Sequence, residues 1–152
     1  MTVVARLEAG ALHPEQELGA LLEQAKGNGA VVSFTGLVRA TSKGGQIVDR
    51  LILEHHPTLT QQSLEDIANE ATAKFDVSHV HVVHRSGDVL AGEPVVFAGA
   101  AALHRRSAFE AADYLMDRLK TEAVFWKREV GPHGSTWIEP TDADYADRER
   151  WS

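Results

Sequence analysis

Two lysines, Lys120 and Lys127, bracket the bulky pair Phe125 and Trp126 in the stretch LKTEAVFWKRE, residues 119–129. Ammonium groups brought close together and partly withdrawn from water lose basicity. A lysine so treated can serve near neutral pH as a base, a proton donor or an electrophilic clamp. Each residue alone also has an ordinary reading: a lysine in a last helical turn complements the negative end of the helix dipole, and a strand lysine can lay its stem over an aromatic ring. The pair is more informative than either member.

A second cationic group stands upstream. LHRRSAFEA, residues 103–111, sets His104, Arg105 and Arg106 before a helix start, where free backbone N–H groups and the positive dipole end favour an anion such as phosphate. Simple pairing of those arginines with acidic neighbours is the alternative. His104 to Arg128 holds six Lys and Arg against four Asp and Glu, a formal +2, which leaves −9 for the rest of a chain totalling −7. Positive charge is thus concentrated where the aromatics are. Ser107 and Glu110 read as an S-x-x-E capping box, so the helix spans Ser107 to Lys120, roughly 20 Å at 1.5 Å per residue. A small ligand does not reach both ends. Either there are two sites, or His104 and Arg105 of one protomer meet Lys120 and Lys127 of another, giving two composite pockets in a two-fold dimer.

Other chemistries are poorly supported. GNGAVV has two glycines of a dinucleotide fingerprint but lacks the third and precedes a strand. There is no GK[ST], no G-x-S-x-G and no H-E-x-x-H. His55 and His56 are adjacent on a strand and point to opposite faces, while His79 and His81 share a face without a third ligand at matching spacing, so no metal site is expected. The chain has no cysteine, which removes disulfides, thiolate ligands and cysteine nucleophiles.

The elements that must hold these groups are readable from periodicity. Val3 to Arg6 suggests a first strand, and HPEQELGALLEQAK a helix with Pro14 in its first turn and Gly27 at its stop. AVVSFTGLVR and IVDRLILEHH read as strands around the polar loop ATSKGGQ, a pair able to form a hairpin. Leu64, Ile67, Ala68, Ala71 and Phe75 make the apolar stripe of a helix from Thr60 to Phe75. SHVHVVHR is a strand, and Pro94 opens PVVFAGAAL, an apolar run expected at the centre of a sheet. Ala108, Ala112, Leu115, Met116 and Leu119 form the buried stripe of the arginine-preceded helix. AVFWKRE and STWIEP follow as short strands joined by VGPHG, and TDADYADRER reads as an acidic, exposed tail. Strands and helices mix without regular βαβ alternation, which favours an α+β fold.

At 152 residues, 43% hydrophobic and 24% charged, the chain fits one ordinary globular domain. The charge of −7 argues against nucleic acid or a membrane surface as partner. No apolar run approaches the roughly 20 residues of a bilayer span, and MTVVARLEAG lacks a signal-peptide pattern, so a cytoplasmic location is the expectation.

GAVVSFTGLVR, LEHHP, HRSGDVLAGE, HRRSAFEAADYLMDRLKTEAVFWKRE and the tryptophan of STWIE, running from about Gly29 to Trp137, together resemble the large, catalytic subunit of molybdopterin synthase, the MoaE family. The resemblance implies an α/β hammerhead fold with an antiparallel sheet and a small additional β subdomain, residues 1–152 forming a single domain. It implies a homodimer that binds a small ubiquitin-like sulfur-carrier subunit at each end, a heterotetramer in all. The implied reaction is a sulfurtransferase step that turns cyclic pyranopterin monophosphate into molybdopterin by building its dithiolene, on the way to molybdenum cofactor. Sulfur arrives as a thiocarboxylate on the carrier's C-terminal Gly-Gly tail, so the enzyme needs no thiol, cofactor or metal of its own.

The family's active-site lysines fall on Lys120 and Lys127, the latter in a substrate-binding run with Arg128 and Glu129. Its substrate-contacting arginine falls on Arg39, beside Leu37 and Val38, and its His-Arg pair on His104 and Arg105. Phe34 and Met116 match pocket-lining positions. Arg39, His104 and Arg105 are thereby expected to hold the cyclic phosphate and the lysines to serve sulfur transfer, with VFW helping to receive the carrier tail. Two positions depart from the family pattern: Val124 stands where proline is usual, and Ala40 where asparagine is usual. A noncatalytic phosphometabolite-binding module would use the same arginines without Lys120, and a carrier-binding scaffold would use only the aromatics.

Overall fold

The computed structural model describes residues 2–152. In chain order its elements are β1 (Thr2–Glu8), α1 (Pro14–Gln24), β2 (Ala30–Leu37), β3 (Arg50–His55), α2 (Leu59–Lys74) and β4 (His79–Arg85). There follow β5 (Gly87–Leu90), β6 (Pro94–Ala102), α3 (Arg105–Glu122), β7 (Phe125–Gly131), β8 (Gly134–Ile138) and α4 (Asp142–Glu149). The strands form two sheets of four, ordered β1-β4-β6-β2 and β5-β3-β7-β8. Among the described residues only β1 and β4 pair in parallel and the other ladders are antiparallel, as in the expected α+β class.

β6 lies inside the first sheet, and its continuous apolar sequence is explained by burial on both faces. Ala98, Ala100 and Ala102 point into the main core with Leu64, Ile67 and Ala68 of α2 and Ala108, Leu115 and Leu119 of α3. Phe97 and Ala101 point the other way, against Leu21 and Ala25 beneath α1. Gly99 is required there, because a Cβ would stand 2.6 Å from Leu21 Cδ2 and hold α1 off the sheet. Leu115 is fully buried, and truncating it to alanine is expected to cost roughly 2–5 kcal/mol.

α1 begins with Pro14 in its first turn, and Gly27 ends the segment at φ 94. Its Glu17 accepts two hydrogen bonds from Arg6, at 2.9 and 2.6 Å, and lies 2.9 Å from Nε2 of buried His81. The carboxylate for a strand histidine therefore comes from a helix distant in sequence.

Three expectations are corrected. β2 and β3 do not form a hairpin: they sit in different sheets, and a single bridge, Thr41 to Ile47, joins the segment between them. β2 completes its ladder on β6, while β3 is drawn to β5 and β7 so that Leu53 can bury with Val38 and Val89 in a separate small core. Ser107 and Glu110 do not cap α3: the helix starts at Arg105, with His104 as N-cap residue, and no side chain closes its end. The acidic tail is the helix α4, closed by a capping box in which Thr141 Oγ1 accepts from the Asp144 N–H and Asp144 accepts from the Thr141 N–H. Trp151 just beyond it meets Phe75 and Tyr114 edge-on, both at 5.6 Å, and donates its indole N–H to Asp117. No helix among the described residues is long and apolar enough to cross a membrane.

Candidate active site

Between the end of β2, the end of α3 and the second sheet lies a cleft of about 810 Å³. Period-two alternation along β7 puts Phe125, Lys127 and Glu129 on its wall, while Trp126 between them is exposed. Helical spacing puts Met116 and Lys120, one turn apart on α3, on the adjoining wall. Phe34 and Leu37 of β2 and the following Val38 and Arg39 form the rim, and the start of α4 contributes Asp144 and Tyr145. Lys43, from the loop between β2 and β3, lines it too.

The two lysines differ. Lys120 is exposed, whereas Lys127 is half-buried and its pKa is lowered to about 8, first by burial and then by the charge of Lys120, with Asp144 opposing. Asp144 itself stays below the usual carboxylate range: burial works to raise it, but hydrogen bonds from Thr141 and the charges of Lys120 and Lys43 prevail. At the cleft wall His84 is buried and stacked on Phe125, with ring centroids 4.3 Å apart. Burial, then Lys127, and to a lesser degree Lys120 depress its pKa to about 3, against a smaller raising effect of the Arg85 carbonyl.

The junction that fixes the lysine spacing is Ala123–Val124. The Val124 N–H donates to Ser63 Oγ at 3.1 Å, and the Val124 carbonyl accepts from the Thr60 hydroxyl, so two hydroxyls of α2 hold both backbone groups. Ala123, at φ −66 and ψ 131, has the extended conformation that a residue before proline adopts. The turn is thus held by side chains in a geometry that the family's usual proline would also accept.

Of the residues singled out in the sequence, Phe34, Leu37, Val38, Arg39, Met116, Lys120, Lys127 and Glu129 meet at this cleft. His104 and Arg105 do not: they are exposed at the opposite end of α3. Arg128 faces away from it as well, 5.4 Å over the ring of Trp137 and 3.9 Å from Glu54. Arg39, His104, Arg105 and Arg106 make no ion pair among the described residues, so the simple-pairing explanation of the helix-start arginines fails. Sequence reasoning missed His84, Lys43, Asp144 and Tyr145. For His84 the available signal was its place in HVHVVHR on the face of Val80 and Val82, which only the packing connects to a lysine four elements away.

Comparison with known proteins identifies the family. The family model described as MoaE protein matches residues 7–122. The molybdopterin synthase catalytic subunit of Caulobacter vibrioides is 48% identical over 123 residues, 81% of this chain and 80% of that protein. The protein of the same name from Pseudomonas aeruginosa is 42% identical over 146 residues, 96% of this chain and 97% of its own. Among solved structures, the molybdopterin biosynthesis MoaE protein from Burkholderia ambifaria superposes with a TM-score of 0.81 at 35% identity, covering 99% of this chain and 97% of that one. A family match across most of the chain, carried by relatives of this similarity and by the same fold, means that the chain belongs to the MoaE protein family.

Proposed function

We propose that this chain is the catalytic subunit of a molybdopterin synthase, a sulfurtransferase that moves sulfur from the thiocarboxylated C-terminus of a small ubiquitin-like carrier to cyclic pyranopterin monophosphate. The observation that carries the reading is Lys127, whose pKa of about 8 sits in a cleft also lined by Lys120 and Arg39. Such an amine is partly neutral near pH 7 to 8, so it can exchange protons during acyl and sulfur transfer, and as an ammonium it can hold an anionic sulfur. Lys120, exposed and cationic at the mouth, lowers the basicity of its neighbour and steers a thiocarboxylate inward. Glu129 and Met116 of the walls and the rim residues Phe34, Leu37 and Val38 give the cleft polar and apolar surfaces for a pterin ring.

Arg39 is the phosphate ligand supplied within one chain. His104 and Arg105 complete the phosphate site from a second protomer, because Arg105 and Lys120 stand roughly 22 Å apart along α3. The assembly is then a homodimer with two composite clefts and a carrier on each, a heterotetramer, and residues 1–152 act as one domain. Arg128, turned onto Trp137, takes a supporting place in the β7–β8 wall rather than a direct phosphate contact. The proposed setting is the cytoplasm, in keeping with the biosynthetic enzymes it resembles.

The test is dithiolene formation from purified thiocarboxylated carrier and pterin substrate. Wild-type chain should convert substrate and Lys120→Ala should not. Unchanged conversion by Lys120→Ala makes the catalytic assignment of Lys120 wrong, substrate binding without conversion by the wild-type chain favours a noncatalytic phosphometabolite-binding module, and substrate binding only in the presence of carrier favours a scaffold.

A further inference from the structure

Thr60 is the most deeply buried polar side chain among the described residues, although it stands in the first turn of α2 and does not line the cleft. Its hydroxyl accepts from the His56 N–H at 2.8 Å and donates to the Val124 carbonyl, so one oxygen joins the β3–α2 connection to the α3–β7 connection. The bonds around it close on themselves. The Val124 N–H donates to Ser63 Oγ at 3.1 Å, and the Ser63 hydroxyl donates to the Thr60 carbonyl at 2.7 Å. A hydroxyl has one hydrogen to give, and in this circuit each is used once. The start of α2 is itself held: Nδ1 of His56 accepts from the N–H groups of Thr58 at 3.1 Å and Leu59 at 3.0 Å, two of the donors that a helix start leaves open. On the other side the Phe125 N–H donates to the Ala123 carbonyl at 3.0 Å, which makes a tight turn centred on Val124.

We propose that Thr60 is a positioning residue of the sulfur-transfer site: by holding the Val124 backbone against α2, it sets where Lys120, two residues before the end of α3, stands relative to Lys127, the third residue of β7. The inference rests on the part assigned to those lysines above. Between them α3 is regular through Glu122, and β7 is in register with β3 from Phe125 onward, opposite His55. The joint in that path is Ala123–Val124, and both backbone groups of Val124 are fastened to α2. Val124 brings an N–H that the family's usual proline lacks, and Ser63 takes it up. A loosened joint would carry one lysine away from the other, and a misplacement of about 1 Å can cost roughly 10²-fold in rate.

Thr60→Val keeps the shape and removes the hydroxyl, whereas Thr60→Ser keeps the hydroxyl. With wild-type carrier and substrate, the Val variant should lose about tenfold or more in kcat with KM within about twofold, and the Ser variant should regain most of the loss. Independently of turnover, the titration of Lys127, followed by trace acetylation across pH, should rise in Thr60→Val from about 8 toward 10.5, because a loosened joint eases both the burial and the closeness to Lys120 that lower it. A folded Thr60→Val with kcat and the Lys127 titration unchanged, or a Ser variant as impaired as the Val variant, overturns the proposal. Where Thr60→Val does not fold, Ser63→Ala decides. It should lower kcat and raise the Lys127 titration in the otherwise wild-type chain, yet do little in a Val124→Pro chain, which has no N–H at that position to hold. No effect of Ser63→Ala, or equal effects in both chains, also overturns the proposal. Failure of the reaction itself looks different: no dithiolene from wild type, or full activity in Lys127→Ala, sinks the proposed function, while the Lys127 titration still reports whether Thr60 holds the joint.

Discussion

The two ends of α3 carry cations of opposite design. At the carboxyl end Lys120 complements the negative dipole end, and it converges with Lys127 on a cleft where its charge lowers the basicity of Lys127. At the amino end His104, Arg105 and Arg106 stand exposed on an uncapped helix start with no acidic partner among the described residues. A lysine tuned by a neighbouring charge needs burial and closeness; arginines open to an anion need free N–H groups and an absence of local competition. Leu103 and Phe109, flanking the arginines, are 61% and 53% exposed, which is the surface expected of a region completed by another molecule. One chain therefore holds two cationic groups that a single small ligand cannot bridge.

Removing the reactive end should have the largest effect. Lys127→Ala is expected to lower dithiolene formation by about 10²–10⁴-fold with the fold intact, as read by product assay alongside circular dichroism. At the other end, Arg105→Ala should weaken substrate binding, raising KM more than it lowers kcat. Mixing Arg105→Ala with Lys120→Ala chains then tests whether the ends meet across a dimer: statistical exchange should restore about a quarter of wild-type activity, since half the dimers would hold one intact cleft of two. No recovery despite verified exchange would break the comparison and make the two ends separate sites.

Stability should sharpen the same contrast. The folded pKa of Lys127, about 8, lies below its ordinary 10.5, so the folded state holds this proton less tightly than the unfolded state does. Its cost to folding is complete below pH 8 and vanishes as pH rises to 10.5. Lys127→Met should therefore stabilise the protein at pH 7 by roughly 1–3 kcal/mol, allowing for the water that reaches a half-buried amine, and the gain should close above pH 8 in denaturant titrations. Arg105→Ala, at an exposed position, should change stability by no more than about 0.5 kcal/mol. Thr141→Ala removes one arm of the capping box and should cost about 1 kcal/mol, with hydrogen exchange rising first in α4. Val124→Pro should be comparably mild: the extended Ala123 already suits it, and the lost N–H bond to Ser63 should shift the melting temperature by only a few degrees.

How much of this could be read in the sequence depended on how local each cause was. The α2 stripe, the Pro14 start and the doubly buried β6 were legible, because periodicity and proline act over a few residues. The capping box was read correctly as a pattern and assigned to the wrong helix: Ser107 fits S-x-x-E, yet α3 begins two residues earlier, while the box that forms uses Thr141 and Asp144 in a segment too polar to read as helix. β5 escaped notice because it is four residues long with one buried side chain, Val89. At the site, the lysine pair and Arg39 were legible as charge among aromatics and through family resemblance. Arg128 was not separable from Lys127 until the alternation of β7 was fixed, since neighbours on a strand face opposite ways.

The sequence by itself determined the chemical kinds available: no thiol, two lysines beside aromatics, an arginine-rich helix start and a net charge that confines any anion to a local patch. It also determined that about one helix length separates the two cationic groups, because helical rise is fixed by the backbone. Only the tertiary structure decided which lysine is withdrawn from water, that His84 and Asp144 stand around it, and that His104 and Arg105 lie outside the cleft. The reason is that pKa and cleft membership depend on burial and on charges brought together from β4, α3, β7 and α4, which are distant in the chain and become neighbours only when the two sheets pack.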